Sequence, residues 1–325
     1  MSLRLRTLIV AVLSLLLALP ALAQQRWPIR PVKILVPFPP GGTSDLTGRL
    51  IAQRLQDALG QPVIVENRTG AGGMIATDAV AKASPDGYTL LIAITGPYVT
   101  APLLQKTPYD TLRDFAAISN INTNPQVLLV HPGAEVSSVR ELIALANARP
   151  GKLNVATAGP GSLTEVSALM FNHMASVQTT LVPYRGGAPG VAAVLSGEAY
   201  ATFVQPSDAI SQVKAGKLRA LAVTSAKRFP QLITVPTVAE SGLPGFVVET
   251  MNGLVAPAGT PPEIVNRISG VIQQLANDPA MRERMADVGL TAIGDTPEQF
   301  RAFLEAQVEF WAKFIRESGI KAAAQ

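Results

Sequence analysis

Short apolar runs alternate with stretches of helical periodicity from Val32 almost to the end of the chain. The runs predict strands at 32–37, 62–66, 88–94, 126–130, 153–157, 179–182, 200–204, 218–224 and 251–255. Most are continuous rather than alternating, the pattern of strands covered on both faces. Between them, Leu46, Leu50, Leu55 and Leu59 share one face of a helix that Gly60 stops. Ser138 to Glu141, Ser162 to Glu165, Thr260 to Glu263 and Thr296 to Gln299 fit the capping box, in which the N-cap hydroxyl and the third helical residue satisfy each other's orphan amides. Phe300, Leu304, Val308, Trp311 and Ile315 recur at helical spacing and predict a packing face on the last helix. Strand and helix in alternation predict an α/β chain with mainly parallel sheets.

The first 23 residues break this pattern: Arg4 and Arg6 precede an apolar stretch from Leu8 to Leu19, then Pro20 and Ala21-Leu22-Ala23. This is the layout of a secretory signal peptide cleaved after Ala23, and the stretch falls short of the roughly 20 residues a membrane span needs. The remainder of the chain, 24–325, is long enough for two domains at roughly 100–200 residues each. Two turn-rich stretches, 119–133 and 241–262, flank a middle block. Read as crossovers, they predict one domain from 24 to about 124 joined with about 249 to 325, and a second domain at 125–248. Two lobes so joined leave a cleft that closes by hinge motion.

Composition narrows the chemistry. The formal net charge is +4, two of the cations lie in the leader, and the rest form no run with interleaved aromatics, so nucleic-acid binding has no footprint. The absence of cysteine excludes disulfides and thiol chemistry, and two isolated histidines, His131 and His173, do not make a metal site. No cofactor motif is complete. Residues 68–79, "RTGAGGMIATDA", begin like a dinucleotide fingerprint but carry Ile75 where the third glycine belongs.

The candidate site lies in the loops after strands. In "VPFPPGGTSD", 36–45, Pro39 and Pro40 fix the approach, Gly41 and Gly42 admit close backbone, and Thr43 or Ser44 is expected to cap the following helix. Free N–H groups and the helix dipole would meet there, which is either an anion site or an ordinary capped turn. "NVATAGPGSLTE", 154–165, repeats the arrangement with Gly159, Gly161 and the cap Ser162. Thr95 and Gly96 in "TGPYV" are candidates for lining, as are Tyr184, Arg185 and Gly186 in "VPYRGGAPG", where the arginine reads equally as a solvated turn residue. Asp45 is a dipole-stabilising first-turn acid or a cleft carboxylate, and Asp208 a helix cap or a cleft polar group.

"WPIRPVKILVPFPPGGTSDLTGRLIAQRL", "VENRTGAGGMIATDAVAKASPDGYTLL", "TPYDTLRDFAAIS", "VPYRGGAPG", "AGKLRALAVTSAKR", "VPTVAESGLPGF" and "GLVAPAGTPPEIV" occur in order along the chain. Together they closely resemble the Bug-type periplasmic solute receptors of tripartite tricarboxylate transporters. The resemblance implies a type II periplasmic-binding-protein (Venus-flytrap) fold, whose two α/β lobes close on a small carboxylated solute and deliver it to transmembrane permease subunits. It implies ligand contacts at Phe38, Gly41, Gly42, Thr43, Ser44 and Asp45 from one lobe, and at Thr157, Ala158, Gly161 and Ser162 from the other. Two departures, Glu165 in place of a common histidine and "FVQPSDAI" at 203–210, add negative charge near the second lobe and speak against a tricarboxylate ligand. A monocarboxylate, an amidated acid and an aromatic acid stay open.

The expected protein is therefore a monomeric periplasmic receptor without catalytic groups, cofactor or metal. Its rivals are an exported hydrolase using Ser44 or Ser162, and a sensory module on the same fold.

Overall fold

A computed structural model describes residues 27–318; the leader and its cleavage site lie outside them. The first sheet has the order β11-β4-β10-β3-β1-β2. It comprises β1 (Val32–Val36), β2 (Val63–Asn67), β3 (Thr89–Ile94), β4 (Phe115–Pro125), β10 (Glu249–Pro257) and β11 (Thr291–Ala292). The second, β7-β6-β8-β5-β9, is built from β5 (Val127–Val130), β6 (Asn154–Thr157), β7 (Thr180–Pro183), β8 (Ala201–Val204) and β9 (Arg219–Val223). Ten α-helices accompany them among the described residues: α1 (Thr43–Leu59), α2 (Met74–Ala81), α3 (Ala101–Leu104), α4 (Val139–Ala148), α5 (Leu163–Ala175), α6 (Gly187–Ser196), α7 (Pro206–Lys214), α8 (Pro262–Asn277), α9 (Pro279–Asp287) and α10 (Pro297–Ser318).

Continuous apolar strands are buried on both faces, as their pattern predicts. In the first sheet Ile34, Leu90 and Ile92 pack with Ile51 and Leu55 of α1 and Ile268 and Ile272 of α8, while Leu35 and Leu91 face Val80 of α2 and Phe300 of α10. In the second, Leu128 and Phe203 meet Phe171 of α5 and Leu142 of α4, whereas Leu129 and Val204 meet Val194 of α6 and Ala209 of α7. Each such side chain contributes roughly 1.5–3 kcal/mol on burial.

Three expectations are corrected. The sheets are mixed rather than mainly parallel: β1 pairs parallel with β2 and β3, and β6 with β7 and β8, but every pairing of β4, β5, β10 and β11 is antiparallel. The stretch 119–133 is no turn-rich linker, because it holds most of the 11-residue strand β4. Two of its asparagines find partners on other elements instead of breaking the strand: Asn252 Nδ2 donates to Asn122 Oδ1 (2.9 Å) and Asn124 Oδ1 (3.1 Å), and Asn122 Nδ2 to Thr47 Oγ1 (3.0 Å). Finally, Thr260 does not cap α8. Its hydroxyl turns back to the Pro257 carbonyl at 2.8 Å, and Pro261 stands at the N-cap. The other three boxes do cap their helices, and Thr296 and Gln299 do so reciprocally.

The chain passes between the sheets twice, through Gln126 after β4 and just before Glu249 of β10, and these two strands pair with each other from Glu249 opposite Pro125 to Pro257 opposite Phe115. The link is thus a pair of neighbouring strands, the geometry of a hinge. Helix α10 packs on the first lobe through Phe300 and Leu304 and then reaches the second, where Phe314 meets His173 of α5 edge to face at 5.8 Å between ring centroids. No helix among the described residues is long and apolar enough to cross a membrane.

Candidate functional site

A cavity of about 350 Å³ lies between the two sheets, at the low end of the range typical for small-molecule sites. Four helix N-termini meet at it, those of α1, α5, α6 and α7. The α1 end comes from the loop after β1. Gly41 takes φ +90°, which a side chain rarely tolerates, and the N-cap is Gly42 rather than Thr43 or Ser44. The hydroxyls of Thr43 and Ser44 are therefore released from capping, and both residues line the cavity with Phe38, Pro39, Gly41 and Gly42. Leu46 N–H closes the first intrahelical bond onto the Gly42 carbonyl at 3.0 Å, which leaves the Thr43 and Ser44 amides among the orphan donors of the first turn.

Asp45 works behind this loop and not in the cavity wall. Its carboxylate accepts from Gly41 N–H (3.0 Å), Arg49 Nε (2.9 Å) and Asn67 Nδ2 (3.0 Å), and Asn67 also donates to the Phe38 carbonyl at 2.9 Å. Burial alone would raise its pKa, but the Arg49 bond, the Gly41 amide and Asn67 together hold it below the ordinary carboxylate value.

The second end is that of α5, where Ser162 is the N-cap and accepts from Glu165 N–H at 3.3 Å. Ala158, Ser162, Leu163 and Thr164 line the cavity there. The Glu165 carboxylate is drawn back to Gly161 N–H at 2.6 Å; its pKa is raised by burial, partly offset by that amide. Gly96, in a π-helical turn at Thr95–Thr100, closes the approach from the first lobe: a β-carbon there would lie 3.1 Å from Leu163 N. The third end is that of α6, bringing Arg185, Gly186, Gly187 and Ala188 to the wall. From α7, Asp208 faces it: a β-carbon at Gly187 would stand 2.5 Å from Asp208 Oδ2.

Of the residues singled out in sequence, Phe38, Pro39, Gly41, Gly42, Thr43, Ser44, Gly96, Ala158, Ser162, Gly186 and Asp208 share this wall. Asp45, Thr95, Thr157, Gly159, Gly161 and Tyr184 stand outside it, and the Thr157 hydroxyl is buried without a hydrogen-bond partner among the described residues. Thr95 Oγ1 accepts from Met251 N–H (2.8 Å), the Thr157 carbonyl from Tyr184 N–H (2.8 Å), the Gly159 carbonyl from Ser162 N–H (3.1 Å) and the Gly161 carbonyl from Thr100 Oγ1 (2.8 Å). Tyr184 donates its hydroxyl to Glu198 at 2.8 Å.

Gln205, Thr250 and Asn252 also line the cavity, and none is among the residues singled out in sequence, although Gln205 lies within the 203–210 departure. They belong to a network joining lobes and hinge: Asn124 Nδ2 donates to Gln205 Oε1, and Gln205 Nε2 to Thr250 Oγ1 at 2.7 Å. Across the cleft, Thr43 Oγ1 and Ser207 Oγ lie 2.7 Å apart. Arg185 and Asp208 are the two charged residues of the wall, and no group of acids and histidines among the described residues has the makings of a metal site.

Comparison with known proteins gives the arrangement its relatives. A family model described as the tripartite tricarboxylate transporter family receptor matches residues 47–320. Protein BugT of Bordetella pertussis is 36% identical over 321 residues, covering 97% of this chain and 98% of BugT. Among solved structures, R. palustris Rpa4515 with adipate superposes with a TM-score of 0.86 at 35% identity, over 91% of this chain and 99% of that one. MatC (Rpa3494) from Rhodopseudomonas palustris with bound malate gives 0.84 at 32%, over 89% and 100%. The periplasmic binding protein BugD gives 0.84 at 34%, over 91% and 99%. The two-lobed architecture is accordingly that of the periplasmic binding proteins, and the chain belongs to the tripartite tricarboxylate transporter family of receptors, whose members bind solutes and are not enzymes.

Proposed function

We propose that this protein is exported by its leader, cleaved after Ala23, to the periplasm. There, as a monomer with lobes at 24–124 plus 249–325 and at 125–248, it holds a small organic carboxylate. Backbone N–H groups and hydroxyls at the helix ends make most of the contacts, and the loaded receptor presents its cargo to the permease subunits of a tripartite tricarboxylate-type transporter. The observation that carries this reading is the meeting of the α1 and α5 N-termini, one from each lobe, on one cavity. Free amides and dipole ends favour negative charge without any cationic side chain. The adipate and malate of two solved relatives support a carboxylate as the cargo.

A hydrolase finds less support. Ser162 Oγ is held by Glu165 N–H and lies 3.0 Å from Thr164 Oγ1, and neither histidine is in the cavity wall. A nucleophilic serine needs a base within hydrogen-bond reach.

Screening the purified protein against small carboxylates tests the proposal. A ligand at 100 times its dissociation constant adds about 2.7 kcal/mol of stability, a measurable rise in Tm. The Gly42→Val variant still folds, at a cost of no more than about 1 kcal/mol for the poorer N-cap, since its β-carbon meets nothing nearer than the Pro39 carbonyl at 3.9 Å, yet it loses that rise. No shift with any organic acid, or wild-type affinity in Gly42→Val, refutes the site.

A further inference from the structure

The cavity wall is not uniformly suited to anions. Asp208 sits in it with no hydrogen bond to its carboxylate from any described residue, and its only charged companion in the wall is Arg185, itself in no ion pair among the described residues. The carboxylate is packed on the start of α6, where a β-carbon at Gly187 would stand 2.5 Å from Asp208 Oδ2. Asp208 also stands in the first turn of α7, so the dipole ends of α6 and α7 are both met by the protein's own carboxylate, and the α1 and α5 ends stay open for a ligand anion. A second acceptor is unanswered nearby. Asn252, 1% exposed and part of the same wall, spends its amide hydrogens on Asn122 and Asn124, while its Oδ1 has no partner. A buried acceptor left without a donor carries its desolvation cost unrelieved. Burial also pushes the Asp208 carboxyl above its ordinary value, the direction expected of an acid that lacks a donor.

Resting on the receptor reading, we infer that Asp208 is a specificity-determining residue. The cargo is an organic acid that also carries a hydrogen-bond donor, a hydroxyl or an ammonium group, which meets Asp208 while the carboxylate meets the α1 and α5 amides. A plain acid with anionic oxygens at both ends would press one of them against Asp208, and like charges in a desolvated site oppose binding.

Titration calorimetry separates the outcomes. Straight-chain mono- and dicarboxylates are each measured beside their α-hydroxy and α-amino counterparts, on the wild type, Asp208→Asn and Asp208→Ser. In the wild type the donor-bearing acid binds about 10-fold or more tightly than its plain parent, the worth of one bond to a charged group. In both variants that ratio falls to about 2-fold or less, chiefly because the plain acid gains. A preference for the amino acid alone identifies an ammonium, and one shared with the hydroxy acid a hydroxyl. Melting of the unliganded variants shows that both are folded, and two substitutions of different size guard against a local packing artefact. Plain acids that bind the wild type as tightly as their donor-bearing counterparts, or a ratio that survives both substitutions, overturn this inference and leave the receptor reading standing. Failure of every acid to bind the wild type overturns both.

Discussion

Three donors lose their acceptor together if the Asp45 carboxylate is removed, since Gly41 N–H, Arg49 Nε and Asn67 Nδ2 all point at it. Asp45→Ala is expected to cost about 2 kcal/mol, the range for bonds to a buried charge with a discount for the half-exposed Arg49, and to loosen the 38–42 loop. The sign of its pH dependence follows from the lowered pKa. The stabilisation is complete above the ordinary aspartate value of 3.8 and disappears as pH falls through the still lower folded value. The Tm gap between wild type and Asp45→Ala therefore holds from neutral pH down to about 3.8 and closes only below it. A gap that closes between about pH 5 and 7 would assign the effect to another group. Sequence alone left Asp45 with two readings, and the choice depended on Asn67, whose place beside it is set by the parallel pairing of β1 with β2.

One of the close approaches between elements across the cleft is the π-helical turn against the start of α5. Gly96→Val puts branched carbons where 3.1 Å is available to Leu163 N and 3.3 Å to Ser162 Cα. The variant is expected to keep each lobe folded, with Tm close to wild type when unliganded, yet to lose roughly 10-fold or more in ligand affinity, because the lobes no longer seat on one another. Wild-type affinity would show that this contact is not needed for closure. The elements were unevenly legible. Strands with apolar side chains on both faces announced themselves, and so did the glycine turns after β1 and β6, because amide-rich loops need residues that keep the backbone bare. Strand β4 did not. Asparagine disfavours strands on average, and only the partners on Thr47, Asn252 and Gln205, 75 to 130 residues away, make it acceptable there. For the same reason Thr250 and Asn252 could not be found in the sequence: which way they face is decided by the register of β10 on β4, with its two irregularities after Asn252 and Leu254.

Across the whole molecule, strand and helix alternation was enough for the α/β class, while the antiparallel pairs came from strands that leave one sheet and return to it, a relation that local periodicity does not encode. That topology also fixes how the lobes can travel. Helix α10 belongs to the first lobe by its chain position and its Phe300 end, yet its far end leans on α5 of the second through Phe314 and His173. Any swing about the paired strands must therefore drag one ring edge over the other. Helix α10 is thus a tie laid across the hinge, expected to resist any opening that would part these rings.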